Sequence, residues 1–460
     1  MLKRTLLLLL SVSLILAMVS CSPSGDAIDS TASVEDIPLP LYKSGETVTL
    51  NVYNWGEYIS DGSEGSLDVN EEFEKYFNST LSSKYGGIKI KVEYSTYPTN
   101  EDMYAKITNS AVSYDVVVPS DYMIQKMISE GLLLSFDTAS LSNYGNIPDN
   151  FRGTYYDPTD SYSVPYTYGM LGIIYNKEGV APEDVEDKSW DLMWNEKYKG
   201  DILQFNNPRD AFATAMFKEG LDINSDDPEV WDKALEILKE QKPLLQGYVN
   251  DEIFNKMKSE SALVASYYVG DFLTMADEQE NLDFYFPTEG VNYFIDAMCI
   301  PTCSKNPHLA KEYINFMTGE DAAVANAIYI GYASPNTAVV ESEEYVEAMA
   351  EYAYEGENGE NAYDLLYNYS PDAVNAGYNS LFPDKIDPAC YRAFESDIQS
   401  RINTLWEDLK ISGSTEPWVH VAAASITGAV VIIAVYSNYI KKKRSRDYRM
   451  RDKAAKAKNN

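Results

Sequence analysis

Residues Tyr53 to Tyr58 read Tyr-Asn-Trp-Gly-Glu-Tyr, a carboxylate set among large aromatic rings. That combination suits an organic cation. Ring faces attract an ammonium group through their quadrupole, and a carboxylate accepts its hydrogen bonds. The histidine inventory narrows the chemistry from the other side. With only His308 and His420 present, Ser-His-Asp or Cys-His catalysis and a His-rich metal site have almost nothing to draw on.

The hexapeptide needs an element to hold it, and the alternating run Val48, Leu50, Val52 predicts a strand that ends at it. Ile88, Ile90 and Val92 alternate with charged residues and predict a second, half-buried strand. Thr99-Asn-Glu-Asp102 is a helix start continued by Met103 and Ile107. The apolar run 114–119 predicts a buried parallel strand, and Ser120-Asp121 opens another helix carrying Ile124, Met127 and Ile128. Further strands are expected at Leu171–Tyr175, Asp201–Phe205, Ala262–Tyr267 and Phe294–Ile300, with helices at Arg209–Lys218 and Glu229–Lys239. Alternation of this kind implies an α/β sheet with right-handed crossovers. The 460 residues hold about two to three domains of ordinary size, and two lobes are favoured. Ligands of such folds lie beyond the carboxyl ends of the strands, where Trp55, Ser120, Asn207, Tyr268 and Asp296 fall.

The two ends predict where the chain lives. Lys3 and Arg4 precede the apolar run of a secretory signal peptide over residues 1–21. Cys21, after small residues, resembles the lipobox of bacterial lipoproteins and is the expected lipidation site. An ordinary signal peptide or an uncleaved anchor with an incidental Cys is the alternative. Residues 22–46, rich in Ser, Asp and Pro, read as a tether. Residues 418–440 carry no fixed charge and are long enough to span a bilayer, and a basic tail, 441–460, follows. The positive-inside rule puts that tail in the cytoplasm and the rest outside. Lipid at one end and a transmembrane helix at the other would be redundant, so one anchor is incidental.

The net charge of −34 is uneven. The tail contributes +8 and Lys3 with Arg4 a further +2, which leaves −44 on the exported part. Such a surface repels nucleic acid and attracts cations, although acidity also serves solubility. Cys299, Cys303 and Cys390, an odd number, fit no disulfide framework and read as buried free thiols, with pairing of Cys299 and Cys303 after export as the alternative.

Five strings carry a resemblance: Tyr53-Asn-Trp-x-Glu-Tyr58, Ser95-Thr-Tyr-x-x-Asn-Glu-x-Met-Tyr-Ala-Lys106, Asp115-Val-Val-Val-Pro-Ser-x-Tyr122, Tyr162-Ser-Val-Pro-Tyr166 and Gly331-Tyr-x-x-Pro-Asn336. Over roughly residues 47–410 the chain resembles the periplasmic spermidine/putrescine-binding proteins of polyamine ABC importers. The resemblance implies a two-lobed, type II-like periplasmic-binding-protein fold, with hinge strands and a central ligand cleft. Lobe 1 is expected to comprise 47–168 and 296–340, and lobe 2 to comprise 169–295 and 341–410. It implies aromatic walls at Trp55, Tyr58, Tyr122, Tyr268, Phe294 and Tyr332, with Tyr268 and Phe294 standing where the spermidine-binding type has tryptophans. Asp296 matches a carboxylate aimed at an amine group along the ligand chain, Ser120 a nearby hydroxyl, and Asp210 a glutamate holding one ammonium end. Glu57 is placed to face the other end.

Two departures stand out: Asn207 replaces an aspartate, and Gly56 replaces a small hydroxyl residue. A glutamine of the family has no counterpart near Tyr391. Each residue also has a bland reading: Asn207 and Asp210 as helix-start residues, Phe294 as core, Trp55 as a packing anchor, Glu57 as a solvated charge.

The function implied is an extracytoplasmic, membrane-held binding protein that captures polyamines for ABC permease subunits, without catalysis or cofactor. The alternatives are a ferric-ion receptor of the same fold, an envelope glycoside hydrolase using Asp210 and Asp296, and a polyamine sensor.

Overall fold

The run Val48, Leu50, Val52 lies in β1 (Thr47–Trp55) of a computed structural model that describes residues 32–109, 112–356 and 358–411. β1 pairs in parallel with β2 (Lys89–Tyr97), in a register that sets Trp55 beside Tyr97. After the helix α1 (Asn100–Ile107) come β3 (Val116–Val117), parallel to β1, and α2 (Asp121–Ser129). Thr99 caps α1 by accepting the amide of Asp102 at 3.1 Å, as its sequence signal predicts.

β3 is shorter than the apolar run 114–119 predicts. The carbonyl of Val118 receives the indole N–H of Trp55 at 2.9 Å and the phenol of Tyr97 at 2.7 Å, so side chains, and no neighbouring strand, take up its hydrogen bonding. Pro119 has no amide to offer a ladder.

The long strand β4 (Ser163–Asn176) joins two halves of one sheet. β5 (Ile202–Phe205), α3 (Pro208–Lys218), α4 (Pro228–Gln241), β6 (Leu245–Val249) and α5 (Glu252–Lys258) follow. Then come β7 (Val264–Tyr268), α6 (Val269–Glu278), β8 (Leu282–Tyr285) and β9 (Tyr293–Cys299). The strand order is β2-β1-β3-β9-β4-β7-β5-β6, with β8 paired to β4. The first part of β4, Ser163 to Met170, is antiparallel to β9; the second, Leu171 to Asn176, is antiparallel to β7 and β8. The sheet is mixed: β3 is parallel to β1, as its apolar run predicts, while β4 and β9 run antiparallel to their neighbours, a direction that apolar runs do not reveal.

Residues 33 to 37, inside the expected tether, dock on the body. Val34 is buried, Lys311 pairs with Glu35, and the ring Nε2 of His308 meets the carbonyl of Ile37 at 2.7 Å. Cys299 and Cys390 are buried free thiols, whereas Cys303 is only half-buried. Cys21, the signal peptide, the span 418–440 and the tail lie outside the described residues. Among the described residues no helix is long and apolar enough to cross a membrane.

Candidate functional site

Strand ends from both halves of the sheet meet around one cleft, and all eleven residues singled out in the sequence line it. The space open to the centre of a water-sized sphere is about 90 Å³. One water needs roughly 10–15 Å³ by that measure, so the cleft has room for a chain of several atoms. Among the described residues no three His, Cys, Asp or Glu side chains come together to hold a metal.

Asp296 on β9 is 4% exposed. Its Oδ2 accepts the phenol of Tyr58 at 2.8 Å, while Oδ1 has no hydrogen-bond partner among the described residues. Ser120 forms an isolated antiparallel bridge with Asp296 and accepts from the Asn100 amide at 3.0 Å. Burial pushes the carboxyl of Asp296 up to about 6; the Ser120 hydroxyl and the Tyr58 phenol oppose this, and the charge of Asp210 adds to it.

The rings form a connected wall. Tyr58 meets Tyr332 edge-on at 5.0 Å between centroids, Tyr332 meets Phe294 at 6.3 Å, and Phe294 meets Tyr268 at 5.5 Å. Trp55, half-buried at the end of β1, leans on Tyr97 at 4.7 Å. Gly270 lets the Tyr332 ring in: a Cβ there would come within 2.2 Å of it.

Asp210 is buried in the first turn of α3, and both its oxygens are engaged. Oδ2 accepts from the Tyr268 phenol at 2.5 Å and from the Asn207 amide, and Oδ1 from the Tyr391 phenol at 2.8 Å. Burial raises its pKa, and these donors together with Arg209 counter the shift. Asn207 caps α3, accepting the Asp210 amide at 3.1 Å, so its helix-start reading describes its contacts. The ring of Tyr122 already faces a cation, with the Arg209 guanidinium 5.0 Å from it, 4.4 Å from Tyr391 and 4.3 Å from Phe394. Glu57 is exposed at the mouth, with a left-handed φ of 47°.

Sequence reasoning missed Asp271, Asp251, Arg209, Tyr391 and Asn292 as lining residues. Asp271 accepts the Tyr332 phenol at 3.0 Å. Burial pushes its carboxyl up to about 8, opposed by Tyr332 and aided by the charges of Asp251 and Glu57. The absent side chain at Gly56 has a local reason, since a Cβ there would lie 2.5 Å from the Asp251 carboxylate. A signal for Asp271 existed: it stands three residues after Tyr268, on the first turn of the helix that Tyr268 caps.

An α/β sheet with a ligand-sized cleft, one unpaired buried carboxylate oxygen and a wall of rings defines a solute-binding protein. Residues 71–352 match the family model described as "Bacterial extracellular solute-binding protein", and the chain belongs to that family. It is similar to the spermidine/putrescine-binding periplasmic protein of Escherichia coli, with 33% identity over 291 residues, covering 63% of this chain and 78% of the relative. The putrescine/cadaverine-binding protein of Pseudomonas aeruginosa is 26% identical over 301 residues, covering 63% and 80%. The crystal structure of a spermidine/putrescine ABC transporter substrate-binding protein from Streptococcus pneumoniae aligns with a TM-score of 0.56 at 28% identity, covering 79% of this chain and 98% of that one.

Proposed function

We propose that the chain captures polyamines outside the cytoplasm and delivers them to the permease of an ABC importer. The observation that carries this reading is the unpaired Oδ1 of Asp296, buried beside an aromatic wall. A neutral sugar would leave the cleft's carboxylates uncompensated. The ferric alternative lacks a ligand cluster among the described residues, and the hydrolase alternative needs Asp210, whose two oxygens already accept from protein donors.

The energetics suffice. Micromolar binding requires about 8 kcal/mol. A charge-assisted hydrogen bond supplies roughly 1.5–3 kcal/mol and a desolvated cation–π contact up to about 2 kcal/mol. Two carboxylates and several rings reach that level after the costs of ligand ordering and closure are subtracted.

In this reading the two sheet halves are the cores of lobes at 47–168 with 296–340 and at 169–295 with 341–410. β4 and β9 are the hinge, and closure over the amine presents a loaded form to the permease. Polyamines are expected to raise the melting temperature of the purified chain by several degrees, about 2.7 kcal/mol of stabilisation at a hundredfold excess over Kd. Stabilisation by ferric ion or a neutral sugar, with none by putrescine, spermidine or spermine, would overturn the assignment.

The ends are read as membrane anchors, on the sequence signals at Cys21 and 418–440. Fractionation of cells carrying Cys21→Ala should leave the protein with the membrane, held by the C-terminal span. Its release would assign the attachment to lipid alone.

A further inference from the structure

Residues Tyr391, Arg392 and Ala393 make contacts in two directions. In the lobe division proposed above they belong to lobe 2, and lobe 2 residues hold their backbone. The Asn224 side chain accepts the Arg392 amide at 2.8 Å and donates to the Cys390 carbonyl at 2.7 Å, while Arg209 donates to the Arg392 carbonyl at 3.2 Å. Tyr391 also carries its phenol to Asp210 in the cleft.

Lobe 1 residues reach the same short segment from the other side. The Tyr155 phenol donates to the Tyr391 carbonyl at 2.7 Å, and the Arg392 guanidinium lies 3.4 Å from the centre of the Tyr155 ring. Gln125 on α2 accepts the Ala393 amide at 2.9 Å. Gln125, Tyr155 and Arg392 are half-buried, and none of the three lines the cleft. Backbone groups of an irregular segment need partners, and here two of them are supplied across the boundary between the lobes. Opening the lobes would return those groups to water and uncover the cation–π stack. Contacts made in one arrangement and lost in the other bias the equilibrium between the two, whether or not they touch a ligand.

We propose that Gln125 and Tyr155 clasp the 391–393 segment when the lobes close, and so act as positioning residues that set how long a bound amine is held. The proposal rests on the polyamine reading of the cleft and on β4 and β9 as its hinge. A clasp that never meets the ligand cannot tell one amine from another. Its loss lowers the closed population by one factor, and every amine's apparent affinity falls by that same factor.

Calorimetry and stopped-flow fluorescence on the purified chain, with Trp55 as the reporter in the cleft, test it. Gln125→Ala combined with Tyr155→Phe is expected to weaken spermidine and putrescine at least fivefold each, by factors that agree within twofold. The loss should appear as faster dissociation, with association within twofold and stoichiometry unchanged. Gln125→Glu keeps an acceptor for the Ala393 amide and should bind both amines within twofold of the unaltered chain. Affinity within twofold in the double variant, or a loss confined to one amine, would overturn the proposal. So would a loss carried by slower association or by a smaller binding-competent fraction, which is what general damage to the fold produces. If the double variant does not fold, Tyr155→Phe alone decides: dissociation at least twofold faster for both amines supports the clasp, and a smaller change contradicts it. Failure of the unaltered chain to bind either amine is a different result, which removes the polyamine reading and this proposal with it.

Discussion

Asp296→Ala is expected to lower polyamine affinity at least a hundredfold. The carboxylate is buried, it accepts a phenol on one oxygen, and its other oxygen has no hydrogen-bond partner among the described residues. Removing one partner of a buried, hydrogen-bonded charge pair strands the other and costs about 3 kcal/mol or more, which is a factor of a hundred in Kd. The loss should lie mainly in the dissociation rate, since truncating a buried partner leaves the long-range field of the acidic surface almost intact. The variant should fold. Its folded state no longer buries an acid whose pKa is pushed up to about 6, so the ligand-free chain gains stability at neutral pH. Calorimetric affinity within threefold of the unaltered chain would show that the amine is held elsewhere.

Asp271→Asn is expected to cost about tenfold in affinity at pH 8 and, more tellingly, to flatten the pH dependence of binding. The carboxyl is pushed up to about 8, first by burial and then by Asp251 and Glu57, against the hydrogen bond from Tyr332. At pH 6 it is therefore protonated in the empty cleft and must lose a proton to pair with an ammonium. Affinity should rise as pH climbs from about 6 to 8.5, and fall again only as the amine itself deprotonates near 10. Binding at pH 7 should release protons, visible as a dependence of the calorimetric heat on the buffer's ionisation enthalpy.

The stability of the ligand-free chain runs the opposite way with pH. The folded state holds these protons more tightly than the unfolded chain, whose aspartates titrate near 4. The contribution is fully present below that value, and it is lost as pH rises through about 6 and about 8. Ligand should therefore raise the melting temperature more at pH 8.5 than at pH 5.5. An affinity that is flat between those values in the unaltered chain would remove Asp271 from the site.

The sequence was most informative where a strand pattern ended in unusual residues. Val48, Leu50 and Val52 located β1, and hence Trp55, Glu57 and Tyr58 at the cleft. The helix starts at Thr99 and Asn207 were legible because their side chains cap, as those residue types do. Strand direction was not legible. β4 and β9 are antiparallel across the middle of the sheet, but burial on both faces erases the alternation that would have marked them. Asp271 was hidden by its ordinary setting, since an acidic residue in a first helical turn is expected on dipole grounds alone. Arg209 escaped notice for the opposite reason: a cationic ligand did not suggest a buried cation of the protein's own among Tyr122, Tyr391 and Phe394. Asn292 shares the period of two with Phe294 and Asp296, a signal that was present in the sequence and was read only as far as Phe294.

A crystal structure of the chain with spermidine bears most directly on the central claim that acids and rings from both halves of the sheet enclose a protonated amine. The predicted result is an extended ligand between Trp55, Tyr268, Phe294 and Tyr332, with one nitrogen within about 3.2 Å of Asp296 Oδ1. A cleft empty of spermidine at saturating concentration, or a ligand whose nitrogens turn away from Asp296, would contradict the account.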